Sequence, residues 1–269
     1  MNYPLQESEK SCPVNLHLNS DHFFKSDYTL FILFLKIVYR LDANELERKH
    51  NAKVIHLEVG QPNFNTPKHI TDVCISALSN GKTTYVPNAG ILELREEIAR
   101  YYNNKYPKTS TSAENVVVTT GSMLSLFSLY MTLLRPGDEC LIPFPGFPNY
   151  QQAISLVHGK PVVYTCLPKN NYLPTIDNIA SKITPKTKCI LLCNPGNPTG
   201  AAYSYELYAS IIQLAKQHNL FVISDEIYSE ISFDSPHVSA MEFLQDDEDE
   251  QSNIAVISGV SKAYAMTGF

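Results

Sequence analysis

From about residue 115 onward, short apolar runs alternate with stretches of helical periodicity. Candidate strands occupy residues 116–119, 139–142, 161–165, 189–193, 221–224 and 254–258. Strands spaced this way imply parallel pairing, because each return to the same edge needs a crossover long enough to hold a helix. Helices are predicted at 122–134, 148–157 and 205–218, the last with Leu207, Ile211, Leu214 and Ala215 in helical spacing. The unbroken runs Cys189-Ile-Leu-Leu-Cys and Phe221-Val-Ile-Ser predict strands covered on both faces, hence an α/β fold with helices above and below a mostly parallel sheet. Cys189 and Cys193, four apart on one strand, belong on one face and read as core thiols rather than a ligand pair.

Upstream, residues 54–59 read as extended, Thr66-Pro67 as an N-cap followed by a first-turn proline, 81–90 as a loop and 92–102 as an amphipathic helix. The acidic run 246–250 is predicted to be a solvated loop. The apolar stretch 28–39 is interrupted by Lys36 and too short to cross a bilayer, so it reads as an amphipathic helix packed on the domain. The chain divides into an N-terminal segment, 1–53, and one large domain, 54–269.

Composition narrows the class of function. With 269 residues, 44% of them hydrophobic, the chain can bury one substantial core. A formal net charge of −6 offers no field for phosphate backbones, so nucleic acid is not an expected partner, and neither is a membrane. The six cysteines have neither the density of a disulfide scaffold nor the paired spacing of a metal site. They imply free thiols in a reducing, cytoplasmic setting with no metal.

Candidate chemistry gathers just after the strands, where open α/β sheets bind their ligands. Thr120-Gly-Ser122, Pro145-Gly-Phe147, Asn194-Pro-Gly-Asn-Pro-Thr-Gly, Asp225-Glu-Ile-Tyr228 and Gly259-Val-Ser-Lys262 each follow a candidate strand. A lysine amine, a carboxylate, an asparagine, a tyrosine, an aromatic ring and a helix start would meet on one rim. That set matches the needs of pyridoxal 5′-phosphate (PLP): an amine to bond it, an acid for its ring nitrogen and helix amides for its phosphate. Gly81-Lys-Thr83 is not a phosphate loop, because Ser76 stands where the first glycine belongs, and no G-x-G-x-x-G is present.

Five segments in order, Gly60-Gln-Pro-Asn-Phe, Tyr85-Val-Pro-Asn-Ala-Gly, Asn194-Pro-Gly-Asn-Pro-Thr-Gly, Ser224-Asp-Glu-Ile-Tyr and Ser261-Lys-Ala-Tyr-Ala-Met-Thr-Gly-Phe, resemble class I and II aminotransferases of the aspartate, aromatic and alanine kind. The resemblance implies the three-layer large domain of fold type I PLP enzymes. It also implies roles for individual residues. Lys262 holds the cofactor covalently and moves protons; Asp225 pairs with the pyridinium nitrogen; Tyr228 and Asn197 serve the phenolic oxygen; and Phe147, with Phe144 as its competitor, stacks on the ring. Gly121, Ser122, Met123 and Ser261 serve the phosphate, Tyr85 reaches the phosphate of a neighbouring subunit, and Gly60 and Asn197 lie by the substrate carboxylate. The implied partners are an L-amino acid, a 2-oxo acid and a second copy of the chain.

The same resemblance places an arginine directly after Phe269, then an antiparallel strand between the strands at 116–119 and 254–258, then a small domain with a second arginine for the substrate carboxylate. Without these the chain is expected to be unstable and inactive alone. PLP lyases and synthases of the same fold share every cofactor motif named, and a non-catalytic remnant that retains the fold is the other alternative.

Overall fold

The computed structural model describes residues 43–50, 53–56, 59–244 and 253–269. The predicted helix at 28–39, the acidic run 246–250 and part of the extended segment 54–59 lie outside them. After helical residues 43–50, the elements are α1 (Lys68–Ser79), α2 (Leu92–Lys105), α3 (Ser122–Leu133), β1 (Glu139–Phe144), α4 (Pro148–Leu156), β2 (Lys160–Thr165), α5 (Ile176–Ala180), β3 (Thr187–Cys193), α6 (Tyr205–Gln217), β4 (Phe221–Asp225), β5 (Ile254–Ile257) and α7 (Val260–Ala263).

The five strands form one sheet in the order β2-β1-β3-β4-β5, every pair parallel. Burial follows that order. The inner strands β1, β3 and β4 are almost wholly buried, whereas the edge strands β2 and β5 are mostly half-buried. Alternate residues of β3 then divide between two cores. Ile190 and Leu192 join Tyr208, Ile211 and Ile212 of α6 and Ile179 of α5 on one face. Cys189, Leu191 and Cys193 join Leu126 and Tyr130 of α3 and Ala153 and Ile154 of α4 on the other. The expected three layers, and the shared face of Cys189 and Cys193, are therefore present.

Two local expectations fail. Residues 116–119 are not a strand of this sheet. Val118 N donates to Ala89 O at 2.9 Å, and Gly90, at φ +99°, lets the 81–90 loop approach so closely that a Cβ there would come within 2.7 Å of Val118 Cβ. The segment is thus bound to a loop, with Val117 67% exposed and no ladder neighbour among the described residues. A β-branched run supplies the propensity for a strand, but a strand needs a paired backbone.

Thr66 is not an N-cap either. Helix α1 begins one residue later than predicted, behind Pro67, whose carbonyl accepts from the amides of Ile70 and Thr71, and it has no side-chain cap. The Thr66 hydroxyl instead donates to Ala265 O at 2.7 Å. Helix α5, too short to show periodicity, was not foreseen; its cap is Thr175, which accepts from Asn178 N.

Candidate active site

Parallel pairing brings three strand ends together. Cys193 of β3 lies opposite Asp225 of β4, which lies opposite Ile257 of β5. Asn194 N donates to Asp225 O at 3.0 Å and Glu226 N to Ile257 O at 2.7 Å, so the segments carrying Asn197, Tyr228 and Lys262 leave the sheet from adjacent points.

Three of those predicted residues form a connected set. Lys262 Nζ lies 5.9 Å from the centre of the Tyr228 ring and donates to Gly60 O at 2.7 Å. Asn197 Nδ2 donates to the Tyr228 hydroxyl at 3.3 Å, so that hydroxyl accepts one bond and keeps its own proton to give. Burial raises the Tyr228 pKa, which holds the phenol protonated at neutral pH.

Asp225 sits beside this set and is 4% exposed. Its Oδ2 accepts from Tyr150 OH at 2.7 Å and its Oδ1 from Ile227 N at 3.3 Å. Among the described residues no cation reaches it; burial raises its pKa, and the Tyr150 hydrogen bond opposes that rise without cancelling it. A buried carboxylate held by two donors and no cation has an unmet demand for positive charge on its open side.

Tyr150 was missed by the sequence reading, although a signal existed. It lies three residues after Phe147, in the first turn of α4, and that spacing puts two side chains on one helix face. The rings meet edge to face, centroids 5.5 Å apart, so Phe147 is half-buried against Tyr150 while Phe144 is 59% exposed. Cys193 completes the floor; burial pushes its thiol up to about 12, and it donates to Pro195 O at 3.5 Å. Replacing Tyr150 with Phe is expected to weaken whatever cation Asp225 binds by about 1.5–3 kcal/mol, the range for a hydrogen bond to a charged group. For PLP this is an increase of at least ten-fold in the dissociation constant, measured by equilibrium dialysis.

The neighbouring carboxylate does different work. Glu226, 1% exposed, accepts from Ser224 Oγ at 2.8 Å, Ser239 Oγ at 2.6 Å, Ala240 N at 2.8 Å and His237 Nε2 at 2.9 Å. It fastens the loop after β4 to the following chain and has no capacity left for a ligand. Glu226→Ala strands these donors in the interior, and urea unfolding should show a loss of about 3 kcal/mol.

The expected phosphate groups are only partly ready. Gly121 caps α3 at φ +75°, and its amide is already occupied, donating to Thr119 O at 2.9 Å. The amides of Ser122 and Met123 fall in the first helical turn, where N–H groups find no acceptor inside the helix. The Ser122 hydroxyl does not cap the helix, and Ser261, half-buried in α7, stands next to Lys262. Tyr85 is fully exposed and touches none of these residues. Two hollows, about 700 and 560 Å³, lie along Lys105, Glu230 and the 229–237 segment and contain none of the predicted site residues. The Lys105 and Glu230 charges there already pair with each other.

These features define an α/β domain with a lysine amine and a buried acid at adjacent strand ends. The model for the family described as Aminotransferase class I and II matches residues 52–269. Over 216 residues the chain is 39% identical to the probable N-acetyl-LL-diaminopimelate aminotransferase of Bacillus subtilis, covering 80% of this chain and 53% of that protein. Over 230 residues it is 33% identical to the aspartate/prephenate aminotransferase of Thermus thermophilus, covering 85% and 58%. A solved aspartate aminotransferase of Thermus thermophilus with maleate superposes with a TM-score of 0.80 at 33% identity, covering 87% of this chain and 59% of that one. The chain belongs to the aminotransferase class I and II family. It spans about half the length of the curated relatives it matches.

Proposed function

We propose that residues 54–269 are the cofactor-binding domain of a PLP-dependent aminotransferase that moves an amino group from an L-amino acid to a 2-oxo acid. One observation carries this reading: a lysine amine, a tyrosine–asparagine pair and a buried carboxylate lacking a cation stand at three adjacent strand ends. The residues fit the cofactor. Its pyridinium would supply the missing positive charge at Asp225, and its dianionic phosphate suits the open amides of Ser122 and Met123 with the Ser261 hydroxyl beside Lys262.

When bound, PLP supplies the electron sink that makes a substrate Cα proton removable. Lys262 would hold the cofactor covalently and would serve as the acid–base group for that proton. Asp225 keeps the ring nitrogen protonated, Tyr228 donates to the phenolic oxygen with Asn197 aligning it, and Phe147 fixes the ring plane. Gly60 and Asn197 would hold the substrate carboxylate. The full exposure of Tyr85 suits a side chain that reaches the phosphate in a second subunit. The chain with this cofactor is a cytoplasmic protein, a homodimer in its full-length form.

The test is direct. The purified chain mixed with PLP, reduced with borohydride and digested should carry the phosphopyridoxyl group on the peptide containing Lys262. Attachment elsewhere, or none, overturns the proposal. Dependence of turnover on a 2-oxo acid then separates a transferase from a lyase of the same fold.

A further inference from the structure

Residues 59–65 cross the rim with little packing to hold them. Val59 and Phe64 are 50% and 57% exposed, and a Cβ added at Gly60 would meet nothing within 4 Å. Hydrogen bonds at the two ends of the segment do the holding instead. At one end Gly60 O accepts from Lys262 Nζ at 2.7 Å; at the other Thr66 Oγ1 donates to Ala265 O at 2.7 Å. Both anchors, Lys262 and Ala265, belong to the turn that closes α7, where Ala265 takes φ +53° and Met266 N donates to Ser261 O at 3.2 Å. The two ends of one strap are thus tied to one turn.

We propose that Thr66 is a positioning residue for Lys262: its hydroxyl fastens the 60–66 strap to the lysine-bearing turn and so keeps the Gly60 carbonyl on the amine. The importance of this tie rests on the role proposed for Lys262, but its geometry needs no cofactor. The same hydroxyl that a capping pattern would assign to α1 is diverted to a carbonyl 199 residues away, while α1 opens without a side-chain cap. With the tie made, the strap returns to the lysine after every excursion. Without it, six residues pivot about Pro67 and the amine lies open to solvent.

The test uses the whole 269-residue chain without cofactor. Chymotryptic cleavage after Phe64, which is 57% exposed, is followed by mass spectrometry, and acetylation of Lys262 by acetic anhydride is read against Lys216 on α6. Thr66→Val should raise both rates roughly five-fold, the equilibrium factor for loss of one ordinary hydrogen bond. Thr66→Ser keeps the hydroxyl and should restore both. Lys262→Met removes the tie at Gly60 and should likewise raise the cleavage rate.

Unchanged cleavage and acetylation in Thr66→Val overturn the proposal, as does a serine variant as loose as the valine one. If Thr66→Val unfolds, seen as cleavage within β3, then Lys262→Met decides alone, and unchanged cleavage after Phe64 overturns it. A chain that shows the expected changes yet takes no PLP sinks the proposed function and leaves the strap standing.

Discussion

Lys262→Ala is expected to abolish covalent retention of PLP, with no phosphopyridoxyl mass on any peptide after borohydride reduction. The parent chain, treated alike, should carry it on Lys262. The argument is chemical: of the described side chains at the three strand ends, Lys262 supplies the amine, held by Gly60 O at 2.7 Å and 5.9 Å from the Tyr228 ring. In a full-length protein with amino transfer, the same change removes both the covalent link and the proton carrier. The expected loss in kcat is then at least about 10⁴-fold, the upper range for a positioned acid–base group. Substantial turnover with Lys262→Ala would sink the assignment.

Asp225→Asn should have opposite effects on stability and on ligand binding. Burial raises the Asp225 pKa in the folded chain. A raised carboxyl pKa means that the folded state holds its proton to higher pH than the unfolded chain. The associated stability is fully present below the unfolded value and is lost as pH rises through the folded one. Above the folded value the cofactor-free chain therefore carries a destabilising anion. Asparagine keeps an oxygen for the Tyr150 hydroxyl and removes the charge, so the melting temperature at pH 7.5 should rise, by about 2–4 °C for each 1 kcal/mol relieved. The gain should shrink as pH falls through the ordinary carboxylate range.

PLP binding should move the other way. Loss of one member of a buried ion pair costs about 3–5 kcal/mol, so the dissociation constant for PLP should rise by roughly 10²-fold to several 10³-fold. A variant that is less stable at neutral pH, or that binds PLP as tightly as the parent, contradicts the role of Asp225. The residue that destabilises the empty chain is the one the proposed cofactor needs, a common trade between stability and function.

Much of this molecule was legible before its structure. Five of the six predicted strands are present, because runs such as Cys189-Ile-Leu-Leu-Cys are apolar at every position and only a sheet covered on both faces satisfies them. The motifs after those strands named Asn197, Asp225, Tyr228 and Lys262, and parallel pairing alone puts adjacent strand ends side by side. What failed was whatever depended on a partner distant in sequence. Residues 116–119 have strand composition, yet their hydrogen bond goes to Ala89, and only the folded chain shows that.

Thr66 and Tyr150 make the same point inside the site. Locally, Thr66 before a proline is a helix cap; in three dimensions it meets Ala265. Tyr150 is locally one more apolar position of α4, yet its hydroxyl reaches Asp225, 75 residues further on. Periodicity and motif order are properties of neighbours along the chain, and from them followed the layers, the parallel strands and the candidate cofactor residues. Which donor satisfies which buried acceptor is settled only when burial removes water as a partner, and so the supports of Lys262 and Asp225 were decided by the tertiary structure.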